Sequence, residues 1–206
     1  VDLEAAVIDA NNDPAVHGIL IYYPVFGQAL DSYLHDVISV EKDVEGLSHR
    51  YRYSLYHNIR ELEAGSGKKC VLPCTPLACV KVLEALGAYD ASQPLGAQLT
   101  GRTAVVLNRS EVVGRPLAAM LANDGALVYS IDEHGMLLYS RGAVPGTIRV
   151  AETEVAQGDA LSRADIVVSG VPVKSYSIAA NSLRPGAICI NVSQHMNFGE
   201  GVEKQC

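Results

Sequence analysis

The spacing of apolar positions divides the chain into a helix-rich opening and a later stretch that alternates strand and helix. Residues 2–12 place Leu3, Val7 and Ile8 on one face, with Asp2 and Glu4 in the first turn and Asn11-Asn12 at the stop, which predicts an amphipathic helix. Asp13-Pro14 reads as a turn. Gly18 to Pro24 is a continuous β-rich run of the kind found buried in parallel sheets. Leu30, Leu34, Val37 and Ile38 return to helical spacing across residues 29–40. The stretch 41–69 is polar and tyrosine-rich, with Gly65-Ser66-Gly67 at a turn. Thr75 and Pro76 then read as cap and first position of a helix that runs to Leu86 and is closed by Gly87.

From there the pattern is that of an open α/β sheet. Ala104–Leu107 is a predicted strand, Gly114–Asn123 a helix with Pro116 in its first turn, and Ala126–Ile131 the next strand. A long irregular insert follows. Ala164–Ser169 and Ala187–Val192 form two more strands, separated by a turn at Arg184-Pro185-Gly186. The expectation is two α/β domains with a boundary between residues 75 and 100, drawn as 1–80 and 81–206. The second is a Rossmann-type doubly wound parallel sheet. The first is incomplete: Val1 falls inside a helical pattern and no closing element precedes Cys206, so the sequence reads as a piece of a longer polypeptide.

Composition narrows the class. Of 206 residues, 49% are hydrophobic and 19% charged, as in soluble globular proteins. A net charge of −7 with scattered Lys and Arg argues against nucleic acid or an anionic membrane as the partner. The apolar run Gly18–Phe26 is half the length of a membrane span. With no signal-peptide pattern and an odd count of 5 cysteines in apolar surroundings, reduced buried thiols and a cytoplasmic location are expected.

Candidate chemistry centres on the turn after the predicted strand 104–107. Asn108-Arg109-Ser110 through Gly114-Arg115-Pro116 joins a strand to a helix start, where unpaired N–H groups and the helix dipole favour a phosphate. Arg109 adds a charged fork and Ser110 a hydroxyl. No G-x-G-x-x-G is present, and alone the segment is equally an ordinary βα turn. Ile131 and Asp132 change the balance, because Asp132 ends the second strand 18 residues after Gly114. An acidic residue there accepts hydrogen bonds from the cofactor's adenine ribose and repels the 2′-phosphate of NADP. Gly170-Val171-Pro172 follows a third strand, and its small residues let a flat ring approach the backbone. These residues predict an NAD site.

The other candidates weigh less. Cys70, Cys74 and Cys79 have no second pair to complete a zinc site, and none of the 6 histidines has metal spacing, so no metal is expected. Cys74 opens a predicted helix whose N-terminus would lower a thiol pKa, but a structural role carries more weight. Tyr51, Tyr53 and Tyr56, interleaved with Arg50 and Arg52, suit a subunit or interdomain contact better than a nucleic-acid patch.

Four stretches together resemble the methylenetetrahydrofolate dehydrogenase/cyclohydrolase family. They are His17-Gly18-Ile19-Leu20-Ile21 through Pro24, Lys42-Asp43-Val44-Glu45-Gly46, Pro73-Cys74-Thr75-Pro76, and Asn108-Arg109-Ser110 through Val113-Gly114-Arg115-Pro116. Asn108 in place of the usual Gly, together with Asp132, is similar to the fungal NAD-dependent monofunctional form. The resemblance implies two α/β domains with folate meeting nicotinamide in the cleft between them, a tetrahydrofolate substrate, and a homodimer. It also shows departures. Where the bifunctional enzymes read V-Q-L-P-L-P, with the Gln lining the folate pocket, this chain has Tyr22, followed by Tyr23. The second carboxylate of K-D-V-D-G, which holds the pterin, is Glu45 here.

The Lys and Tyr of the cyclohydrolase step lie upstream of Val1 in the family pattern, and a glycine-proline folate loop is expected after the last strand. Tyr22, Glu45 and Cys74 are the folate-side candidates; Arg109, Ser110, Ile131, Asp132, Gly170, Val171 and Pro172 are the cofactor-side ones. The implied activity is NAD-dependent oxidation of 5,10-methylenetetrahydrofolate to the methenyl form, without cyclohydrolase activity. A different Rossmann-fold oxidoreductase and a non-catalytic nucleotide-binding protein stay open as alternatives.

Overall fold

A computed structural model describes residues 2–144 and 146–206. The chain divides into two compact units, residues 1–74 and 75–206.

In the first unit, helix α1 (Leu3–Asn12) is capped by Asp2, whose carboxylate accepts the Glu4 N–H, and α2 spans Gln28–Val37. Asn11 ties their ends together, donating to the Val37 carbonyl at 2.7 Å and accepting the Ser39 N–H at 2.8 Å. The predicted buried strand at 18–24 is not a strand. Ile19 makes a single parallel bridge to Asp43, and Leu20, Tyr22, Val25 and Phe26 are exposed. Its β-rich side chains specify an extended backbone, but among the described residues no neighbouring strand offers a ladder. The polar stretch after it holds an unpredicted helix, α3 (His49–Tyr56), anchored by buried Tyr51, Ser54 and Leu55. Tyr51 is therefore a core residue, its hydroxyl donating to the Val40 carbonyl, while Tyr53 stacks on His57. Helix α4 spans Cys74–Ala85, so it begins one residue before the predicted cap, and beyond Cys74 it belongs to the second unit. Gly87 ends it with φ +73°, and Ala88 and Gly87 donate back to the Leu83 and Glu84 carbonyls, a closure that needs the left-handed conformation glycine adopts freely.

The second unit is a six-stranded sheet in the order β4-β3-β2-β1-β5-β6. Strands β1 (Thr103–Leu107), β2 (Leu127–Asp132), β5 (Ile166–Ser169) and β6 (Ile188–Asn191) run parallel, as their apolar runs predict. The predicted irregular insert is instead a hairpin of β3 (Gly135–Arg141) and β4 (Ile148–Glu152), antiparallel to β2, followed by α6 (Gln157–Arg163). Edge strands are open to solvent and so lack the continuous apolar signal of the central ones. Helix α5 (Gly114–Asn123) is buried at every position but Arg115 and packs across β1, β2 and β3. Val105, Leu107, Tyr129, Ile131 and Val167 join Ala160 and Leu161 of α6 in the core on one side. Their strand neighbours Ala104, Val106, Val128 and Val168 point the other way and are equally buried. A short α7 (Val202–Gln205) follows β6. Chain order reverses between β1 and β5, the switch point where such sheets bind ligands outside their strand ends.

Candidate active site

The turn after β1 is held by backbone close approach. Asn108 sits at φ +79°, a left-handed conformation that asparagine tolerates better than most residues. Its side-chain amide donates to the Gly170 carbonyl at 2.8 Å, joining the two walls of the switch point. A Cβ on Gly114 would lie 1.9 Å from the Asn108 carbonyl oxygen, so only glycine lets α5 start there. The amides at that helix start are not open, contrary to the expectation from the sequence. Ser110 Oγ accepts the Val113 and Gly114 N–H groups at 3.2 and 3.3 Å, the Ser110 carbonyl accepts from Arg115, and Pro116 has no N–H. A hydroxyl that accepts twice still has a proton to donate. The Ser110 hydroxyl, not the bare helix end, is therefore the group at this turn with a proton to give.

Arg109 also differs from its predicted part. Its Nη1 meets Asp132 Oδ2 at 3.0 Å, its Nη2 donates to the Ser130 and Gly135 carbonyls at 2.9 and 2.8 Å, and Nε reaches Ser130 Oγ at 3.4 Å. The guanidinium therefore clasps β2 to the start of β3. The pair is sheltered, with side chains 8% and 18% exposed. Asp132 Oδ1 accepts the His134 N–H at 2.8 Å, and each carboxylate oxygen retains a further lone pair. Ile131 is a core side chain, offering only its carbonyl, which accepts the Asn108 N–H at 2.9 Å.

The loop Gly170-Val171-Pro172 leaves β5 under a network that spacing did not reveal. Asn197, 0% exposed, accepts from Ser169 Oγ at 2.8 Å and from the Val171 N–H at 2.9 Å, and donates to the Val171 carbonyl at 3.1 Å. Ser193 Oγ donates to the same carbonyl at 2.8 Å. Asn191, last residue of β6, accepts the Asn197 N–H and donates to the Ser193 and His195 carbonyls. The sequence signal for these residues was their place just past a predicted strand, where the switch-point rule puts ligand-facing groups. A concavity at the strand ends is lined by Leu107, Asn108, Ser110, Gly114, Gly170 and Val192.

In the first unit, Lys42-Asp43-Val44-Glu45-Gly46 splits its duties. Lys42 Nζ donates to the Ala10, Asn11 and Asp13 carbonyls at 2.7–2.8 Å, closing the C-terminal end of α1 as a cation should. Buried Asp43 accepts the Glu45, Gly46 and Ser48 N–H groups at 2.8–3.0 Å. Gly46, at φ +68°, passes so close to the neighbouring chain that a Cβ would sit 2.8 Å from the Val71 carbonyl oxygen. Glu45 stands between these two, partly buried. Burial raises its carboxyl pKa, against a lowering hydrogen bond from the Ile21 N–H, and the Asp43 charge raises it further.

Tyr22 is 90% exposed, so no pocket among the described residues encloses it. Tyr23 is anchored instead, edge-on to buried His35 with ring centroids 4.2 Å apart, and burial first, then Glu45 and other carboxylates push its hydroxyl up to about 12. Cys74, first residue of α4, is exposed and so is Cys206, against the expectation of buried thiols; Cys79 alone of the five is fully buried. Among the described residues no group of three His, Cys, Asp or Glu could hold a metal, and no helix is long and apolar enough to cross a membrane.

Comparison with known proteins supplies the family. Residues 1–45 match the tetrahydrofolate dehydrogenase/cyclohydrolase catalytic domain, and residues 73–141 match the NAD(P)-binding domain of the same family. The chain is 52% identical, over its whole length, to a methylenetetrahydrofolate dehydrogenase [NAD(+)] of Dictyostelium discoideum, and 50% identical over 96% of its length to one of Schizosaccharomyces pombe. The chain belongs to the tetrahydrofolate dehydrogenase/cyclohydrolase family. It spans 66% and 62% of those two relatives' lengths, a little under two thirds. The solved NAD-dependent 5,10-methylenetetrahydrofolate dehydrogenase of Saccharomyces cerevisiae superposes with a TM-score of 0.92 at 44% identity, covering 99% of this chain and 66% of that one. Identity to a family member named bifunctional protein FolD, from Polaromonas naphthalenivorans, is 31% over 95% of the chain. Three of the four stretches that carried the resemblance lie within the two matched family regions; Lys42–Gly46 straddles the edge of the first.

Proposed function

We propose that the protein of this chain oxidises 5,10-methylenetetrahydrofolate to 5,10-methenyltetrahydrofolate with NAD as hydride acceptor. The relatives at 44–52% identity are named for that activity and that cofactor, whereas identity to the bifunctional relative is 31%. The observation that carries the cofactor choice is the Arg109–Asp132 pair at the tip of β2. A carboxylate there suits a ribose diol, and its partner cation is already engaged, so neither residue welcomes a 2′-phosphate.

The residues present fit a dinucleotide. Glycine borders the crevice on both sides: a Cβ on Gly114 would strike the Asn108 carbonyl, and one on Gly170 would come 3.0 Å from Val192. Ser110 donates its hydroxyl proton to the pyrophosphate, Asp132 accepts from the ribose, and the Gly170-Val171-Pro172 loop backs the nicotinamide end. NAD supplies the hydride acceptor; the chain orients and desolvates, and orientation alone is worth on the order of 7–11 kcal/mol of a barrier. In the first unit Glu45 accepts paired hydrogen bonds from the pterin. Tyr22 stands where the bifunctional pattern has the amide that assists hydrolysis, and the reaction stops at the methenyl product. Cys74 is not needed for turnover, and Cys74→Ser leaves the rate within a few-fold.

The test is Asp132→Ser in the full-length protein. Removing the carboxylate abolishes the repulsion and releases Arg109 Nη1, so the ratio of kcat/KM for NAD over NADP falls about tenfold or more, the equivalent of ~1.4 kcal/mol. An unchanged ratio overturns the cofactor assignment.

A further inference from the structure

We propose that Asn197 is the positioning residue for the nicotinamide end of the cofactor, acting through the backbone of Val171; this rests on the NAD-dependent reading above. Val171 lies just beyond β5, where the sheet ladder has ended and its peptide groups need other partners. Asn197 takes both of them, accepting the N–H at 2.9 Å and donating to the carbonyl at 3.1 Å. The same amide oxygen accepts Ser169 Oγ at 2.8 Å, which fixes the amide's orientation. Asn197 is fully buried, and its own N–H and carbonyl are held by Asn191 Oδ1 at 3.0 Å and the Ile178 N–H at 2.8 Å. A side chain with its rotamer, orientation and backbone all fixed transmits little motion to what it holds.

The consequence concerns how the ring is recognised. Val171's N–H and carbonyl are both occupied by the protein, the carbonyl twice over through Ser193 Oγ at 2.8 Å. The Gly170 carbonyl is taken by Asn108. This stretch therefore presents the ring with a rigid, saturated surface to lie against, with no backbone group at Val171 left for the carboxamide. Precision at the reacting carbon comes from holding that surface still. The hydrogen bonds of Asn197 and Ser193 involve neither Asp132 nor Ser110, so changing these two residues is aimed at the nicotinamide end alone.

The experiment compares NAD with ADP-ribose, which lacks the nicotinamide, by calorimetric titration of the full-length protein, alongside steady-state kinetics. Asn197→Ala should lower kcat by about tenfold to a hundredfold, the scale of a misplacement near 1 Å, and weaken NAD several-fold while ADP-ribose affinity stays within about twofold. Ser193→Ala removes the second donor to Val171, together with the acceptor of the His195 N–H at 3.1 Å, and should show the same pattern with smaller size, which keeps the test alive where Asn197→Ala does not fold. Equal loss of NAD and ADP-ribose affinity in both variants, or no change in either ligand or in kcat, overturns the proposal. Failure of the unaltered protein to bind either ligand would overturn the NAD reading itself, a result distinct from the other two.

Discussion

At the residue scale, one short motif shows how structure and chemistry share a sequence. Lys42, Asp43 and Gly46 each meet a backbone demand: three carbonyls at the end of α1, three N–H groups of a tight turn, and a chain passing too close for a Cβ. Glu45 takes one backbone donor, the Ile21 N–H, and sits partly buried with a raised pKa. A raised carboxyl pKa means the folded state prefers the protonated acid, so its stabilising share is complete at low pH and lost as pH rises through the folded value. Glu45→Gln should therefore leave thermal stability at pH 8 equal to or above the unaltered protein's, with the difference closing in acid. The same substitution should raise the folate KM. In the unaltered protein that KM should climb as pH falls, beginning above the ordinary Glu value; a flat profile would remove Glu45 from the folate site.

Asn108 gives a second residue-scale expectation. Asn108→Gly keeps the left-handed turn and loses one hydrogen bond, costing about 1 kcal/mol, whereas Asn108→Ala loses both and costs about 2–3 kcal/mol by denaturant unfolding. Equal costs for the two would show that backbone strain at this turn is unimportant. Asp132 was readable from its distance to the Arg109 turn, because strand and helix lengths in such units vary little. Its partnership with Arg109 was not, since a long flexible side chain can reach several partners and the β2–β3 hairpin that supplies two of them was itself unseen.

At the scale of elements, those with a strong apolar period were readable: α1, α5 and the parallel strands β1, β2, β5 and β6 appear within a residue or two of their predicted bounds. The failures share a cause. Residues 18–24 have strand chemistry without a ladder, α3 has a polar sequence held by a few buried anchors, and β3–β4 is an edge hairpin with half-exposed faces. In each, tertiary partners decide what local preference leaves open. The start of α5 is the element-level feature with most bearing on function. Ser110→Ala removes the acceptor for two amides and should cost about 1 kcal/mol, or roughly 2–4 °C in Tm. It should also weaken NAD, since the same hydroxyl proton is assigned to the pyrophosphate; full NAD affinity in a destabilised variant would confine Ser110 to capping.

At the scale of the molecule, the two units divide the labour of the proposed reaction. The second carries a sheet whose switch point is bordered by glycine and by polar groups suited to a dinucleotide, and the first carries the Glu45 turn and the tyrosine pair. The second unit's fold was far more readable than the first's, because parallel strands buried on both faces write themselves into sequence as unbroken apolar runs. With Tyr22 in the place of an amide, the full-length protein should hydrolyse methenyltetrahydrofolate no faster than the uncatalysed background. The deciding measurement is the initial rate of nicotinamide reduction by the full-length protein, with NAD or NADP, each with and without 5,10-methylenetetrahydrofolate. Turnover should require the folate and be at least about tenfold more efficient with NAD. Reduction that ignores the folate, or equal efficiency with NADP, would overturn the assignment of an NAD-dependent folate dehydrogenase.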